Sequence, residues 1–371
     1  MRIALVASGG FDESGRERVI PSLLWLIERL ARQHDVFVYV LRYHHAPRRY
    51  PLLGATIQDL GRPDGLRAQY AAVVSALQRD APFDIVHGYW GMPAGLVAAA
   101  AGRRLGIPSI VTCDSGEFVS LPSVPYGLQT TWRHRTAVAL ATRLANAVTV
   151  CSNYQSALAS AVGVRTRVIP IGVDTAHYSA GPALTSGPPY RLLHVASINP
   201  VKDHATLLHA VRRLRDDGLP LHLDIVGEDT MNGAVQRLAA SLQLDDCVAF
   251  HGFQPADRLA DFYRSADLFV LPSRHEAAGV VLLEAAACGV PVVGSAVGYL
   301  SDWSPDKATS VAPGDHAALA SAIEQLLNDP ARRERQARAA QAWVLAHDAD
   351  WTAATFDALY HELTGRPTQP V

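Results

Sequence analysis

Lysine is nearly absent from this chain of 371 residues, which contains only Lys202 and Lys307 beside 31 arginines. Cysteine is also scarce. The four cysteines occur singly in or beside apolar segments, without the Cys-x-x-Cys spacing of a zinc site. We therefore expect buried, reduced thiols and neither disulfides nor a zinc site.

Long apolar runs are missing as well. No stretch approaches the roughly 20 apolar residues that a membrane-spanning helix requires. The first apolar stretch is interrupted at Ser8-Gly9-Gly10, too early for a secretory signal. These features predict a cytoplasmic protein.

Two common nucleotide-binding motifs do not occur. No G-x-G-x-x-G sequence follows an apolar strand pattern, and there is no G-x-x-x-x-G-K-[ST] sequence, which argues against a dehydrogenase and a P-loop ATPase. The nearest feature is the glycine pair ending at Gly10, between the first predicted strand and the first predicted helix. Small residues there would let a ligand approach the amino terminus of the helix, and a simple tight turn would explain them equally well.

Short apolar strands alternate with amphipathic helical segments along the whole chain. The first half predicts a helix over residues 17–33 and strands at residues 3–7, 36–41, 84–87, 109–112, 147–151 and 167–171. The second half predicts strands at residues 192–196, 221–226, 248–250, 268–271, 292–294 and 310–311. Nearly continuous apolar strands that alternate with helices form parallel sheets covered on both faces, so we predict two doubly wound α/β domains.

The predicted domains are residues 1–175 and 191–349, joined by a Gly- and Pro-rich linker at 176–190. A segment at 350–371 is predicted to be helical and could cross back to the first domain. Ligands of such sheets bind at the carboxyl ends of the strands, so we expect a site in a cleft between the two domains.

Charge is distributed unevenly along the chain. Residues 1–185 contain 18 arginines, no lysine and 12 acidic residues, a net charge of +6, whereas the remainder has a net charge of −8. The basic half suggests an anionic partner such as a lipid phosphate or a membrane surface; a random distribution of solvated charges is the alternative.

The most informative segment is residues 271–293. Glu276 and Gly279 lie in a loop after an apolar strand, and a short helix that starts near Val280 carries Glu284 among leucines and alanines. A carboxylate in such apolar surroundings needs a hydrogen-bonding partner, which a ligand with vicinal hydroxyls would supply. Gly279 and Val280 at the helix start would offer backbone N–H groups to a phosphate, and Glu276 would face whatever is attached beyond it.

The pattern P-S-x-x-E-x-x-G-x-x-x-x-E-A-x-A-x-G-x-P-V-V in this segment resembles the signature of the retaining glycosyltransferases of family 4. That family has the GT-B fold, two Rossmann-like parallel-sheet domains that face each other across a cleft. Residues 84–87, 169–174 and 312–315 are similar to further motifs of the family, so the resemblance spans nearly the whole chain. It implies that Glu284 binds the ribose hydroxyls of a nucleotide-sugar and that Glu276 contacts the donor sugar; glutamates without any ligand are the alternative.

Lys202, in the loop after the first strand of the second domain, completes the predicted donor site. A compact ammonium group suits a diphosphate, and the resemblance matches Lys202 with the family's diphosphate-binding lysine; a solvated loop lysine is the alternative. The family's companion arginine is replaced by Ser197. Either another arginine substitutes, such as Arg16 across the cleft, or Lys202 acts together with helix dipoles.

A second departure from the family lies in the first domain, where relatives commonly have a histidine that approaches the donor sugar and this chain has Asp114. An ionised Asp114 could accept a hydrogen bond from a sugar hydroxyl but could not donate one. His87 is predicted to be a core histidine, although residues 87–90 could instead line the acceptor side.

Together these features predict an enzyme that transfers a hexose or N-acetylhexosamine from a UDP- or GDP-sugar to an acceptor hydroxyl, with retention at the anomeric carbon. Lys202 and the helix amino terminus would stabilise the charge on the departing diphosphate, without a metal ion or other cofactor. A nucleotide-sugar epimerase of the same architecture and a non-catalytic nucleotide-sugar-binding protein are the alternatives. No nucleic-acid partner is expected.

The acceptor is predicted only as a class, a sugar or a lipid-linked acceptor in the synthesis of cell-surface polysaccharide, glycolipid or small glycosides. Residues 42–50 and 132–135 interleave basic and aromatic side chains, which suits an anionic lipid-linked acceptor and peripheral contact with the inner face of the membrane. Solvated loops are the alternative interpretation of both segments.

Overall fold

The computed structural model describes residues 1–181 and 187–367. Residues 182–186 of the predicted linker and residues 368–371 of the predicted C-terminal segment lie outside the described residues. The chain forms two compact units. The N-terminal unit comprises Met1–Gly172 and the C-terminal residues from Ala349 onward, and the C-terminal unit comprises Val173–Asp348.

The N-terminal unit contains a sheet with the strand order β3-β4-β2-β1-β5-β6-β7-β8, in which β3 alone runs antiparallel to its neighbour. Its strands are Arg2–Ala7 (β1), Asp35–Val40 (β2), Arg48–Leu52 (β3), Ala55–Asp59 (β4), Ile85–Tyr89 (β5), Ser109–Thr112 (β6), Ala147–Val150 (β7) and Arg167–Val168 (β8). Its first helices are Pro21–Leu30 (α1), Gly65–Arg79 (α2), Leu96–Leu105 (α3), Trp132–Leu144 (α4) and Asn153–Ala161 (α5).

Helices cover this sheet on both faces because its central strands, β1 and β2, are apolar at nearly every position. On β1, Ile3 and Leu5 belong to the hydrophobic cluster on one face, and Ala4 and Val6 belong to the cluster on the other. Alternate side chains of a strand point to opposite faces, so a continuous apolar strand requires two covering layers. The predicted doubly wound layout follows from this pattern.

The C-terminal unit contains a parallel sheet with the strand order β11-β10-β9-β12-β13-β14. Its strands are Tyr190–Val195 (β9), Leu221–Val226 (β10), Val248–Phe250 (β11), Leu268–Leu271 (β12), Val292–Ser295 (β13) and Thr309–Val311 (β14). Its helices are His204–Asp216 (α6), Ala234–Ser241 (α7), Ala256–Arg264 (α8), Val280–Ala287 (α9), Gly298–Trp303 (α10), His316–Asn328 (α11) and Pro330–Ala346 (α12). All six strands predicted for this half are present.

The last helix, Ala349–Thr364 (α13), belongs to the N-terminal unit. Phe356 and Tyr360 lie in the same hydrophobic cluster as β1. The Tyr360 hydroxyl contacts Nδ1 of His87 at 2.7 Å, and Nε2 of His87 contacts Thr112 Oγ1 at 2.6 Å. His87 is therefore a core histidine, as predicted.

Two features of the N-terminal unit differ from the predictions. Strands β3 and β4 were not expected, and β3 occupies part of the basic segment 42–50 that was interpreted as a loop. Tyr50 is buried there, and its hydroxyl donates to the Phe11 carbonyl at 2.6 Å. The apolar pattern of a strand is not visible here because the segment contains Arg48, Arg49 and Pro51. Proline is tolerated in β3 because this strand lies at the edge of the sheet. Helix α1 is also shorter than predicted because it begins at Pro21, a favoured first helical residue.

All four cysteines are buried and free, as predicted. Among the described residues, no helix has both the length and the apolar composition to cross a bilayer.

Candidate functional site

The candidate site of the C-terminal unit is built from two neighbouring loops. Strands β9 and β12 pair in parallel, so the loops that follow their carboxyl ends lie side by side. The first loop ends in a short 3-10 turn, Pro200–Lys202, and the second leads into α9. The Arg274 N–H donates to the Val201 carbonyl at 2.7 Å and joins the two loops.

Lys202 and Glu276 form an ion pair at the centre of this site. Lys202 Nζ donates to Glu276 Oε1 at 2.6 Å, and Ser273 Oγ donates to the same oxygen at 2.7 Å. Burial alone would raise the pKa of Glu276, but the Lys202 ammonium and these hydrogen bonds hold it below its ordinary value. The structure thus brings together two residues that the sequence assigned to one site, and Glu276 is ionised there.

The turn that presents Lys202 is held by its own polar side chains. The Asn199 side chain accepts hydrogen bonds from the N–H groups of Val201 and Lys202 at 3.1 and 3.3 Å. Asp203 adopts a left-handed conformation with a φ of 49° and forms an ion pair with Arg274. Sequence reasoning did not single out Arg274 or Asp203. The sequence did offer a signal for them, because they have opposite charges and each lies directly after a motif residue: Asp203 follows Lys202, and Arg274 follows Ser273.

Two buried histidines, His194 on β9 and His204 at the start of α6, lie beside this turn. Their rings pack edge to face with centroids 4.7 Å apart. Burial and the nearby Lys202 charge lower the pKa of His194 to about 4 and that of His204 to about 2. Both imidazoles are neutral at physiological pH, so Lys202 supplies the positive charge of this turn.

The start of α9 is shaped by two glycines. Gly279 has a φ of 86° and precedes Val280, the first residue of the helix, and no side chain among the described residues caps this end. Gly298 packs closely against this loop. A Cβ added at Gly298 would lie 2.6 Å from the Ala278 carbonyl oxygen and 3.1 Å from Glu276 Cβ. Sequence reasoning found Gly279 and Val280 but missed Gly298, because its importance comes from a contact with a distant loop.

Glu284 on α9 has a different environment. It is 4% exposed, and its Oε2 accepts a hydrogen bond from the Tyr263 hydroxyl at 2.7 Å. Burial raises the pKa of Glu284 to about 7, against the opposing effect of hydrogen bonds from Tyr263 and Tyr178. The Tyr263 hydroxyl thus supplies a hydrogen-bonding partner for this carboxylate within the protein itself.

The remaining predicted donor-site residues are Ser197 in the C-terminal unit and Arg16 and Gly10 in the N-terminal unit. Ser197, after β9, is exposed and carries no charge to replace the missing arginine. Arg16 is exposed in the N-terminal unit. Gly10 is buried, and a Cβ there would lie 2.7 Å from Ile20 Cδ1, so the tight turn before α1 accounts for this glycine.

Asp114 follows β6 in the N-terminal unit and has an acidic neighbour. Its Oδ1 is buried without a hydrogen-bond partner among the described residues. Burial and the negative charge of Glu117 raise the pKa of Asp114 to about 8. The neutral acid is therefore favoured at pH 7, and in that form Asp114 can donate a hydrogen bond.

Glu117, which sequence reasoning missed, is almost completely buried beside Asp114. Its two carboxylate oxygens accept hydrogen bonds from the N–H groups of Gly91 and Ser115, each at 2.9 Å. Burial raises the pKa of Glu117 as well, but these hydrogen bonds oppose the rise. Its signal in the sequence was a second acidic residue three positions after Asp114, in the loop that follows β6.

Comparison with known proteins relates each part of the chain to a family. Residues 22–177 match the model of Glycosyltransferase Family 4, and residues 183–343 match that of the Glycosyl transferases group 1. A D-inositol 3-phosphate glycosyltransferase from Frankia alni is 32% identical over 281 residues, which cover 70% of this chain and 69% of that protein. A protein of the same description from Acidothermus cellulolyticus is 28% identical over 88% of this chain and 81% of its own length.

Solved structures resemble the whole chain. Sucrose-phosphate synthase from Thermosynechococcus elongatus superposes with a TM-score of 0.82 at 21% identity and covers 98% of this chain and 100% of its own. Anabaena HepE in complex with UDP-glucose superposes with a TM-score of 0.75 at 19% identity, covering 97% of this chain and 100% of its own. At these identities the likeness establishes the fold alone.

Proposed function

Because the chain belongs to glycosyltransferase family 4, we propose that it transfers a sugar from a nucleoside diphosphate donor to an acceptor hydroxyl, with retention at the anomeric carbon. The predictions of glycosyltransferase activity and of a GT-B fold are confirmed by the family match and by the likeness to solved structures. The donor, the stereochemistry and the residue roles given below are proposals.

The Lys202–Glu276 ion pair supports the donor site more strongly than any other observation. A buried carboxylate and an ammonium group converge at the carboxyl ends of adjacent parallel strands, where doubly wound sheets bind their ligands. Without ligand, Glu276 neutralises Lys202. We propose that the donor diphosphate takes over the ammonium group and that the released carboxylate accepts hydrogen bonds from the sugar hydroxyls.

The same groups provide the chemistry. As the bond between the anomeric carbon and the phosphate oxygen breaks, negative charge grows on the diphosphate. Lys202 and the N–H groups at the start of α9 stabilise this charge from fixed positions. The acceptor oxygen forms the new bond on the same face of the sugar, and its proton passes to the departing phosphate oxygen. This assignment requires no metal ion or other cofactor.

Two further residues complete the proposed donor site. Arg274 supplies the second cation in place of the arginine missing at Ser197, since it lies beside the Lys202 turn within the same unit. Glu284 exchanges a tyrosine hydroxyl for the ribose hydroxyls of the nucleotide. In the N-terminal unit, neutral Asp114 donates a hydrogen bond to a substrate hydroxyl.

The substrates to test first follow from the relatives. HepE was solved with UDP-glucose, which supports a UDP-sugar donor and makes GDP-sugars the second choice. The curated relatives are described as D-inositol 3-phosphate glycosyltransferases, which makes a phosphorylated cyclitol the first acceptor to test.

The deciding experiment incubates the protein with radiolabelled UDP-sugars or GDP-sugars, with and without inositol 3-phosphate, and follows the label. A glycoside whose anomeric configuration, determined by NMR, matches that of the donor is expected. Epimerised sugar or free UDP formed without acceptor would indicate an epimerase. Donor binding without turnover against a panel of sugar and lipid-linked acceptors would indicate a binding protein.

A further inference from the structure

Helix α4 turns most of its surface to solvent. Within Trp132–Leu144 only Val138 and Ala141 are buried. Trp132 is 71% exposed, more than any other large apolar side chain of the described residues, and Leu140 is 47% exposed. Exposed apolar side chains that gather in one patch on a surface mark a contact site for a partner or a membrane.

The outward residues of α4 share one side of the helix. Helical spacing places Trp132, Leu140 and Arg143 within about 80° of one another, with Arg133 and Arg135 at the margins. We call these five residues the α4 face. All three arginines are exposed, and the Arg133 guanidinium lies 5.6 Å from the centre of the Trp132 ring.

The chain segment that contains the α4 face is basic. No acidic residue occurs between Glu117 and Asp174, a stretch that contains five arginines. Next to the helix is an open cavity of ≈ 610 Å³. Its polar lining residues are Thr142, Arg143, Asn146, Arg165, Thr166 and Arg167.

The arginines of this cavity differ in their partners. Arg167 forms a bidentate ion pair with Glu362 at 2.5 and 2.6 Å. Arg143 and Arg165 have no acidic partner within the part of the chain that the structure describes. Val162, at the rim, is 45% exposed and adds an apolar group to the same surface. The cavity therefore retains two positive charges that can receive an anion.

We propose that the α4 face docks the N-terminal unit on the surface of an anionic lipid bilayer, with a lipid phosphate in the cavity beside it. Trp132 and Leu140 enter the headgroup region, where an amphipathic indole is favoured, and the arginines pair with lipid phosphates while their stems cover apolar surface. A soluble polyanion would account for the charge but not for the exposed apolar side chains. This inference is independent of the proposed donor site.

Co-sedimentation with vesicles tests the proposal on the intact chain without any sugar substrate. At roughly 0.15 M salt the protein is expected to sediment with vesicles of about 30% phosphatidylglycerol and to stay in solution with pure phosphatidylcholine. The variant Trp132→Ser/Leu140→Ser should reduce the partition coefficient by about tenfold or more. Its matched control is Phe253→Ser/Leu345→Ser, which removes two exposed apolar side chains from the C-terminal unit and should leave binding unchanged.

The charges are tested in the same way. Arg133→Gln/Arg143→Gln should weaken binding to anionic vesicles by about tenfold or more, whereas Arg237→Gln/Arg338→Gln, of equal charge change in the C-terminal unit, should not. Circular dichroism verifies that each variant is folded. The proposal is overturned if the wild type does not bind anionic vesicles, or if it binds DNA but not vesicles. It is also overturned if the control variants lose as much vesicle binding as the α4-face variants. Because the assay contains no donor or acceptor, such a failure would leave the proposed function untouched.

Discussion

Lys202 and Glu276 depend on each other in the unliganded protein. Lys202→Ala should reduce turnover by about 100-fold or more, since it removes the cation proposed to stabilise the departing diphosphate. It also leaves the buried Glu276 carboxylate without its partner, which should lower the free energy of unfolding by about 3 kcal/mol. Steady-state kinetics and urea unfolding measure the two effects separately.

The double variant Lys202→Ala/Glu276→Gln serves as the control for this prediction. A neutral amide no longer needs the ammonium group, so most of the lost stability should return while turnover stays low. Normal turnover in either variant would exclude Lys202 from the chemistry. If Lys202→Ala had low turnover and the double variant regained both turnover and stability, the role of Lys202 would be structural.

The proposed ribose contact of Glu284 implies that nucleotide binding depends on pH. Burial raises the pKa of this carboxyl to about 7, and only its ionised form accepts two hydrogen bonds from ribose hydroxyls. The affinity for UDP should therefore rise by about tenfold between about pH 6 and about pH 8. Calorimetric titration of Glu284→Gln should show weaker binding that does not change over this range, and an unchanged pH dependence in that variant would assign the titration to another group.

Asp114 links pH to folding in the opposite direction from a typical carboxylate. Its pKa is raised to about 8 in the folded chain, against about 3.9 in an unfolded one. The folded state thus holds a proton that the unfolded state releases, so this contribution to stability is complete below about pH 4 and is lost as the pH rises to about 8. Asp114→Asn keeps a neutral side chain at every pH.

The Tm of Asp114→Asn relative to that of the wild type should therefore increase as the pH is raised from about 5 to about 9. Differential scanning fluorimetry over this range measures the difference, and titrating groups that do not interact with Asp114 cancel because both proteins contain them. A difference that stays constant with pH would show that Asp114 is ionised throughout.

At this scale the sequence predicted contacts between residues of different motifs better than contacts of motif residues with the rest of the chain. Lys202 and Glu276 could be paired because each follows a predictable strand and adjacent parallel strands end at one edge of the sheet. The tyrosine partners of Glu284 could not be predicted, since Tyr178 and Tyr263 come from segments without motif character. The protonation of Asp114 also depends on burial, which spacing alone does not reveal.

At the scale of elements, the conformation of the loop before α9 depends on its close contact with Gly298 at the start of α10. Gly298 has a φ of 54°, and a Cβ there would lie 2.6 Å from a backbone oxygen that cannot yield easily. Gly298→Ala should therefore destabilise the protein by about 1 kcal/mol more than the strain of a left-handed alanine alone, and should weaken UDP binding.

Gly218→Ala provides a matched control for this prediction. Gly218 has a φ of 85°, but its added Cβ would meet no atom within 4 Å. Urea unfolding and UDP titration of both variants separate backbone strain from the contact with Ala278. Equal effects in the two variants would contradict the proposed support of the loop.

The strands differ in how well the sequence pattern predicts them. All six strands of the C-terminal unit were predicted, because most of them are short runs of apolar residues. Strands β3 and β4 were missed at the edge of the N-terminal sheet, where one side of a strand meets solvent and charged residues are accepted. Charged and polar residues interrupt the apolar runs of both of these strands.

At the scale of the whole molecule, the last helix of the chain belongs to the same unit as its first strand. Phe356 and Tyr360 of α13 complete the core around β1, and Tyr360 contacts the buried His87. Helical periodicity predicted this helix but left open which sheet it would cover. Both ends of the chain therefore contribute to the N-terminal unit, and the C-terminal unit with the Lys202–Glu276 pair is formed by one continuous segment.

The most direct test of the account is a crystal structure of the intact protein soaked with UDP-glucose, or with GDP-mannose if UDP does not bind. We predict that the diphosphate contacts Lys202 Nζ and that the Glu276 carboxylate has moved from Lys202 to the sugar hydroxyls. A nucleotide bound away from Lys202 and Glu276, with their ion pair intact, would contradict the account.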